Sequence, residues 1–232
     1  MNLDFPQLSP GRRERLEKAT QTYYEQLKSS PETIDYLKRR GITGDVAQRF
    51  RLGFVAEPVE NHDQMQGMLS IPFVTPLGVV AIRFRRLQGE GGKYHQEAGT
   101  LSPLYNVRDL HRSEPYLVIC EGELDAVVMS GLVGCPAVGI AGTGNWSSRG
   151  KFYRRLLVDY DRVFVVMDPD GPGQKIVPDI MKKVPNAINI VLPDELDVND
   201  TYLLHGKDFI LKELGLWDSE SSGTQQSALS AA

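Results

Sequence analysis

The chain has 232 residues, 41% of them hydrophobic, with 26 Lys and Arg against 30 Asp and Glu and a formal net charge of −4. That length and apolar content support a real core in one large domain or two small ones, and the acidic balance excludes a protein that grips nucleic acid by overall charge, so any such contact must use local patches. Cys120 and Cys135 sit in apolar surroundings and are too few for a Cys-rich zinc site, so they read as buried thiols. No apolar run approaches the ~20 residues of a membrane span and no signal peptide is seen, so the expectation is a soluble, cytoplasmic chain without membrane contact.

Residues 10–28 carry a charged helical pattern, and Ser30-Pro31-Glu32 opens a second helix that Gly41 stops. A short helix follows from Asp45 to Phe50. GMLSIPFV and GVVAIRFRRL then read as two strands joined by a turn at Thr75-Pro76-Leu77-Gly78, with a Gly-rich loop, GEGGKYH, after them. From residue 115 the rhythm is regular: strand PYLVIC, helix LDAVVMSGL, strand PAVGIAG, helix SRGKFYRRLLVDY, strand DRVFVVM, helix GQKIVPDIMKKV with an awkward Pro178, and strand AINIVLP. Helical segments then run to about Trp217, and DSESSGTQQSALSAA at 218–232 is expected to be a disordered tail. Strands alternating with helices predict a parallel sheet covered on both faces.

The strand ends carry the chemistry. In an open parallel sheet, ligands bind beyond the carboxyl ends of the strands. Glu121, Gly122 and Asp125 follow the first of these strands, Thr143 and Gly144 the second, Asp168 and Asp170 the third, and Asp194, Asp197, Asn199 and Asp200 the fourth. The run Asp168-Pro169-Asp170-Gly171 by itself is a good turn. A turn, however, needs no acids on the neighbouring strands, and clustered carboxylates without a cation are destabilising. Oxygen ligands without His favour Mg²⁺ or Mn²⁺ over zinc.

The ordered set Glu121-Gly122-x-x-Asp125, Asp168-x-Asp170-Gly171 and Asp197-x-Asn199-Asp200 resembles a Toprim domain, the metal-binding module of bacterial-type primases, type IA and type II topoisomerases and some nucleases. Upstream, YLKRRGITGDVAQRFRLGFV, LSIPFVTPLGVVAIRFRRL, GGKYH and SPLYNVRDL resemble the catalytic core of DnaG-type primases, as does Gly142-Thr143; the resemblance covers about residues 31–206. It implies an α/β fold: a smaller α+β N-terminal subdomain (1–112), a Toprim domain (113–206) with a parallel sheet and helices on both faces, and a C-terminal helix (207–217) before the tail.

The function so implied is a DNA primase catalytic core, a nucleotidyltransferase joining ribonucleoside triphosphates into short RNA primers on single-stranded DNA. The economy of the chain suits a phage enzyme acting in the host cytoplasm. The implied metal residues are Glu121, Asp168, Asp170, Asp197 and Asn199, the last standing where DnaG-type primases usually have Asp. Catalysis falls to Glu121, Asp168 and Asp170, with Glu121 either a ligand or the base for the primer 3′-hydroxyl. Arg85 matches the family's groove arginine and Lys93 its groove lysine; with Arg83 and Arg86 they form a local basic patch, and Arg83 and Arg85 share one strand face. No C-x-x-C or phosphate-binding P-loop is present, so zinc is not expected, and a replicative helicase or a separate zinc-bearing subunit is a natural partner. The alternatives are a Toprim nuclease and a non-catalytic DNA-binding replication subunit.

Overall fold

A computed structural model describes residues 8–100, 103–169 and 171–217, which leaves Asp170 and the expected tail at 218–232 outside the described residues. The fold is mixed α/β with two four-stranded sheets. Helix α1 (Pro10–Lys28) is capped by Ser9, whose Oγ accepts from the Arg12 amide, and buries Leu16, Ala19, Thr20, Tyr23 and Leu27 at helical spacing. Helices α2 (Pro31–Lys38) and α3 (Gly44–Arg49) follow. Ser30 holds the N-cap position of α2, but its hydroxyl pairs with Thr33 Oγ1 instead of a backbone amide.

Strands β1 (Gly53–Phe54), β2 (Met68–Thr75), β3 (Gly78–Arg86) and β4 (Tyr94–Gln96) form an antiparallel sheet in chain order. Thr75 pairs with Gly78 across the expected turn. Both faces of this sheet are covered, so β2 and β3 are apolar almost throughout: Ile82 and Phe84 pack toward α1, while Leu69, Ile71, Phe73 and Ala81 pack toward the second half of the chain. Arg83 and Arg85 continue the Ala81 face, and therefore look at the second half rather than away from it.

The second half holds a parallel sheet in the order β6-β5-β7-β8, from β5 (Tyr116–Cys120), β6 (Ala137–Gly139), β7 (Arg162–Val166) and β8 (Ala187–Ile190). Alternate residues divide between two cores. Val118, Cys120, Phe164 and Val166 join the cluster shared with β2 and β3, while Leu117, Ile119, Val163 and Val165 meet α5 (Thr143–Leu157) and α6 (Val177–Lys183). Helix α4 (Glu123–Val128) and helix α7 (Val198–Glu213), kinked at Gly206, complete the first of these cores. Hydrophobic packing is thus continuous across the two halves.

Several elements differ from their sequence expectation. Strand β6 stops at Gly139 and α5 starts at Thr143, five residues earlier than Ser148, because the Asn145 amide ties the first turn to the Ile140 carbonyl at 2.9 Å. Helix α4 widens to a π-turn at Met129–Val133, where the Gly134 and Cys135 amides both reach the Met129 carbonyl. Pro178 is not an interruption: it sits in the first turn of α6, after a 3₁₀ turn at Pro172–Ile176.

Candidate metal and nucleic-acid site

Three acids from three elements meet at the carboxyl edge of the parallel sheet. Asp125 lies in the first turn of α4, Asp168 follows β7, and Asp197 caps α7 by accepting from the Asp200 amide at 2.7 Å. One carboxylate oxygen of each lies within 4.8 Å of the others. Asp125 is 9% exposed. Burial, then the charges of Asp168 and Asp197, push its carboxyl up to about 7, while Arg40 and Arg85 offset part of that rise. Three carboxylate oxygen donors brought together in this way fit a hard divalent cation. The sequence set Asp125 apart from the candidate ligands; the structure brings it together with Asp168 and Asp197. Gly122 leaves the room it needs, since a Cβ there would stand 2.7 Å from Asp125 Oδ2.

Glu121 stands beside these three. Its carboxyl is raised by burial and by Asp168, against hydrogen bonding from the Gly173 and Asp168 backbone and the charge of Lys93. The turn after Asp168 closes over it: a Cβ on Gly173 would come within 2.1 Å of Glu121 Oε2. Glycine at this position is a condition of the site.

Asn199, expected as a ligand, is engaged with Arg40. It is buried, its Nδ2 donates to the Arg40 carbonyl at 2.7 Å, and its Oδ1 accepts from Arg40 Nη1 at 3.3 Å. The amide joins the start of α7 to the end of α2. Of the other acids expected at this strand end, Asp194 has a 72% exposed side chain and lies 4.0 Å from His205.

The basic strand faces the acids across the seam. Arg85 Nη1 donates to the Tyr94 hydroxyl at 2.7 Å, and its pKa is raised despite its burial, through Tyr94, Tyr36 and Asp125. Lys93 is exposed and lies 5.9 Å from the Tyr94 ring centre. Arg83, expected on phosphates, is instead half of an ion pair: its Nη1 lies 2.5 Å from Glu123 Oε1, with Glu123 buried on α4. A cleft of about 500 Å³ opens beside it, lined by Arg83, Tyr94, His95, Gly142, Asn145 and Arg149. Thr143 opens α5 at the lip of that cleft. The sequence reading passed over Glu123, Tyr94 and Arg40. Glu123 lies between Glu121 and Asp125 without a motif of its own, and only the folded register brings Tyr94 opposite Arg85.

The chain is 35% identical over 154 residues to the Gene 57 protein of Mycobacterium phage D29, covering 64% of this chain and 99% of that protein. No protein-family model matches it. Among solved structures, it resembles the zinc-binding and RNA polymerase domains of the Aquifex aeolicus primase at 19% identity and a TM-score of 0.73, over 92% of this chain and 63% of that one. It also resembles the RNA polymerase domain of Mycobacterium tuberculosis primase DnaG in complex with double-stranded DNA, at 22% identity and a TM-score of 0.71, over 89% of this chain and 81% of that one. The fold is that of the DnaG catalytic core. Among the described residues no helix is long and apolar enough to cross a membrane.

Proposed function

We propose that this chain, which belongs to the family of the mycobacteriophage Gene 57 protein, is a DNA primase catalytic core that joins ribonucleoside triphosphates into RNA on a single-stranded DNA template. The observation that carries the reading is the convergence of Asp125, Asp168 and Asp197 at the strand ends, opposite a basic hairpin, in a primase fold. These three acids would hold a divalent cation, Mg²⁺ or Mn²⁺, with Asp170 joining them on sequence grounds. When bound, the cation lowers the pKa of an attacking hydroxyl and steadies charge on a triphosphate.

The chain's own residues do the rest. Glu121, whose carboxyl burial makes more basic, lies outside the three-acid set, and we assign it the proton of the primer 3′-hydroxyl. Arg85 and Lys93 contact template phosphates from the β3–β4 hairpin, which holds the strand beside the acids. Asn199 and Arg40 lock the α2 turn to the start of α7.

The test is incorporation of labelled ribonucleotides on single-stranded DNA with Mg²⁺ or Mn²⁺, wild type beside Asp168→Ala. Short products that vanish in the variant, while template binding persists, are expected. Metal-dependent degradation of the DNA in place of synthesis would instead identify a nuclease, and template binding without chemistry a non-catalytic subunit.

A further inference from the structure

Between Glu121 and Asp125 lies an acid with no role in the reading above. Glu123 is completely buried, yet it reaches across the seam between the two halves to β3. Arg83 Nη1 donates to its Oε1 at 2.5 Å. The same guanidinium lies 4.2 Å over the Tyr94 ring, and the Tyr94 hydroxyl accepts from Arg85. A continuous series of polar contacts therefore runs from the helix that carries Asp125, through Arg83 and Tyr94, to Arg85.

Among the described residues, Glu123 Oε2 and the Tyr105 hydroxyl are both buried without a hydrogen-bond partner, and the charge of Glu123 is felt at Tyr105 and Tyr94. A buried ion pair with one oxygen unsatisfied is poor as a source of stability, and apolar side chains of the same volume serve that end better. What the pair does supply is a fixed distance between strand β3 and helix α4. It also cancels the charge of Arg83, whose side chain is 17% exposed and whose π-face is already covered by Tyr94.

We propose that Glu123 is a positioning residue, and that the Glu123–Arg83 pair is a strut that sets the basic β3–β4 hairpin against the acid cluster while taking Arg83 out of phosphate binding. This rests on the primase-core reading, and it names a geometric requirement of that site. Proximity makes the requirement steep, since a displacement of about 1 Å at reacting groups costs on the order of a hundredfold in rate.

The experiment uses the full chain with Glu123→Gln, Arg83→Gln and the exchanged double variant Glu123→Arg with Arg83→Glu, which keeps the combined length and the opposite charges of the pair. Two quantities are read: the salt dependence of affinity for a labelled single-stranded oligonucleotide, and kcat and KM for primer synthesis at saturating template. Arg83→Gln should leave the slope of log affinity against log salt at the wild-type value, whereas Lys93→Ala lowers it by about 0.7. Glu123→Gln should lower kcat by about tenfold or more with KM for nucleotide nearly unchanged, and the double variant should return kcat to within about threefold of wild type.

A slope reduced by about 0.7 in Arg83→Gln would make Arg83 a phosphate contact and overturn the proposal. So would a double variant whose kcat loss is the product of the two single losses. Should the single variants fail to fold because each leaves a buried charge unpaired, the exchanged double decides: folded with near-wild-type kcat it supports the strut, and folded but slow, or unfolded, it refutes it. Wild type that makes no primers fails the primase reading instead, and the salt slopes then still decide whether Arg83 binds phosphate.

Discussion

Asp125→Asn should make the cation-free protein more stable at pH 8 and abolish its response to Mg²⁺. The folded protein holds the Asp125 proton far more tightly than the unfolded chain, with a carboxyl at about 7 against an ordinary 3.8. A raised carboxyl contributes stability that is fully present below pH 3.8 and is lost as the pH rises to about 7. The difference in proton affinity sets a ceiling of about 4 kcal/mol. Asp168 and Asp197 titrate in the same cluster and share the repulsion, so roughly half of that, about 2 kcal/mol, is the working expectation for one substitution. In a chain of this size that is roughly 4–8 °C in melting temperature. Melts in chelator at pH 5 and pH 8 should therefore show wild type losing stability that Asp125→Asn keeps. Mg²⁺ at about 100 times its dissociation constant should return about 2.7 kcal/mol to wild type at pH 8, and little to the variant. Parallel pH profiles for the two proteins in chelator would refute the reasoning, because they would mean that the buried acid carries no strain.

Three further outcomes follow from the same geometry. Arg85→Ala and Lys93→Ala should each weaken single-stranded DNA binding and lower its salt slope by about 0.7, read by fluorescence anisotropy across a salt series. Gly173→Ala places a Cβ where Glu121 Oε2 lies, so kcat should fall by roughly ten- to a hundredfold with oligonucleotide affinity unchanged; wild-type kcat would show that Glu121 is not held by this turn. Asn199→Ala strips the Arg40 carbonyl of a buried donor and should cost about 1–3 kcal/mol in a denaturant melt, while calorimetric Mn²⁺ affinity stays within about threefold; a large loss of affinity would return Asn199 to the ligand set.

Much of this arrangement could be read from the chain. The alternation of apolar strands with helices after residue 115 imposes the parallel sheet, and the rule that ligands gather beyond its strand ends picks out Asp168 and Asp197. Asp125 was harder to place. Four residues past Glu121, its side chain is aimed by the first turn of α4, and a sequence does not state how far that turn rolls a carboxylate toward β7. Arg83 shows the opposite case. Alternation on β3 correctly sets it with Arg85 and opposite Phe84, but what lies in front of that face depends on how the two halves dock. Asn199 was implied as a ligand by the family resemblance, and its amide is engaged by Arg40, 159 residues earlier in the chain. Local pattern fixes the face a side chain occupies, and long-range packing decides its partner.

The division into two halves is therefore one of topology more than of energetics. A single apolar cluster joins Leu69, Ile71 and Phe73 of the antiparallel sheet to Val118, Phe164 and Val166 of the parallel one. The electrostatics repeat the pattern. The acids lie on the second half, yet Arg40 and Arg85, which offset the repulsion at Asp125, come from the first, as does Arg83, which neutralises Glu123. A chain with a net charge of −4 can in this way present a negative site and a positive strand side by side without a large field of either sign. Such a seam suits a site that must hold a cation and a polyanion together: the acids alone would repel phosphate, and the arginines alone would collapse onto the acids. With Arg83 held by Glu123, Arg86 by Gly92 and His95, and Arg40 by Asn199, Arg85 and Lys93 are the hairpin cations to which the proposed function gives the nucleic-acid strand.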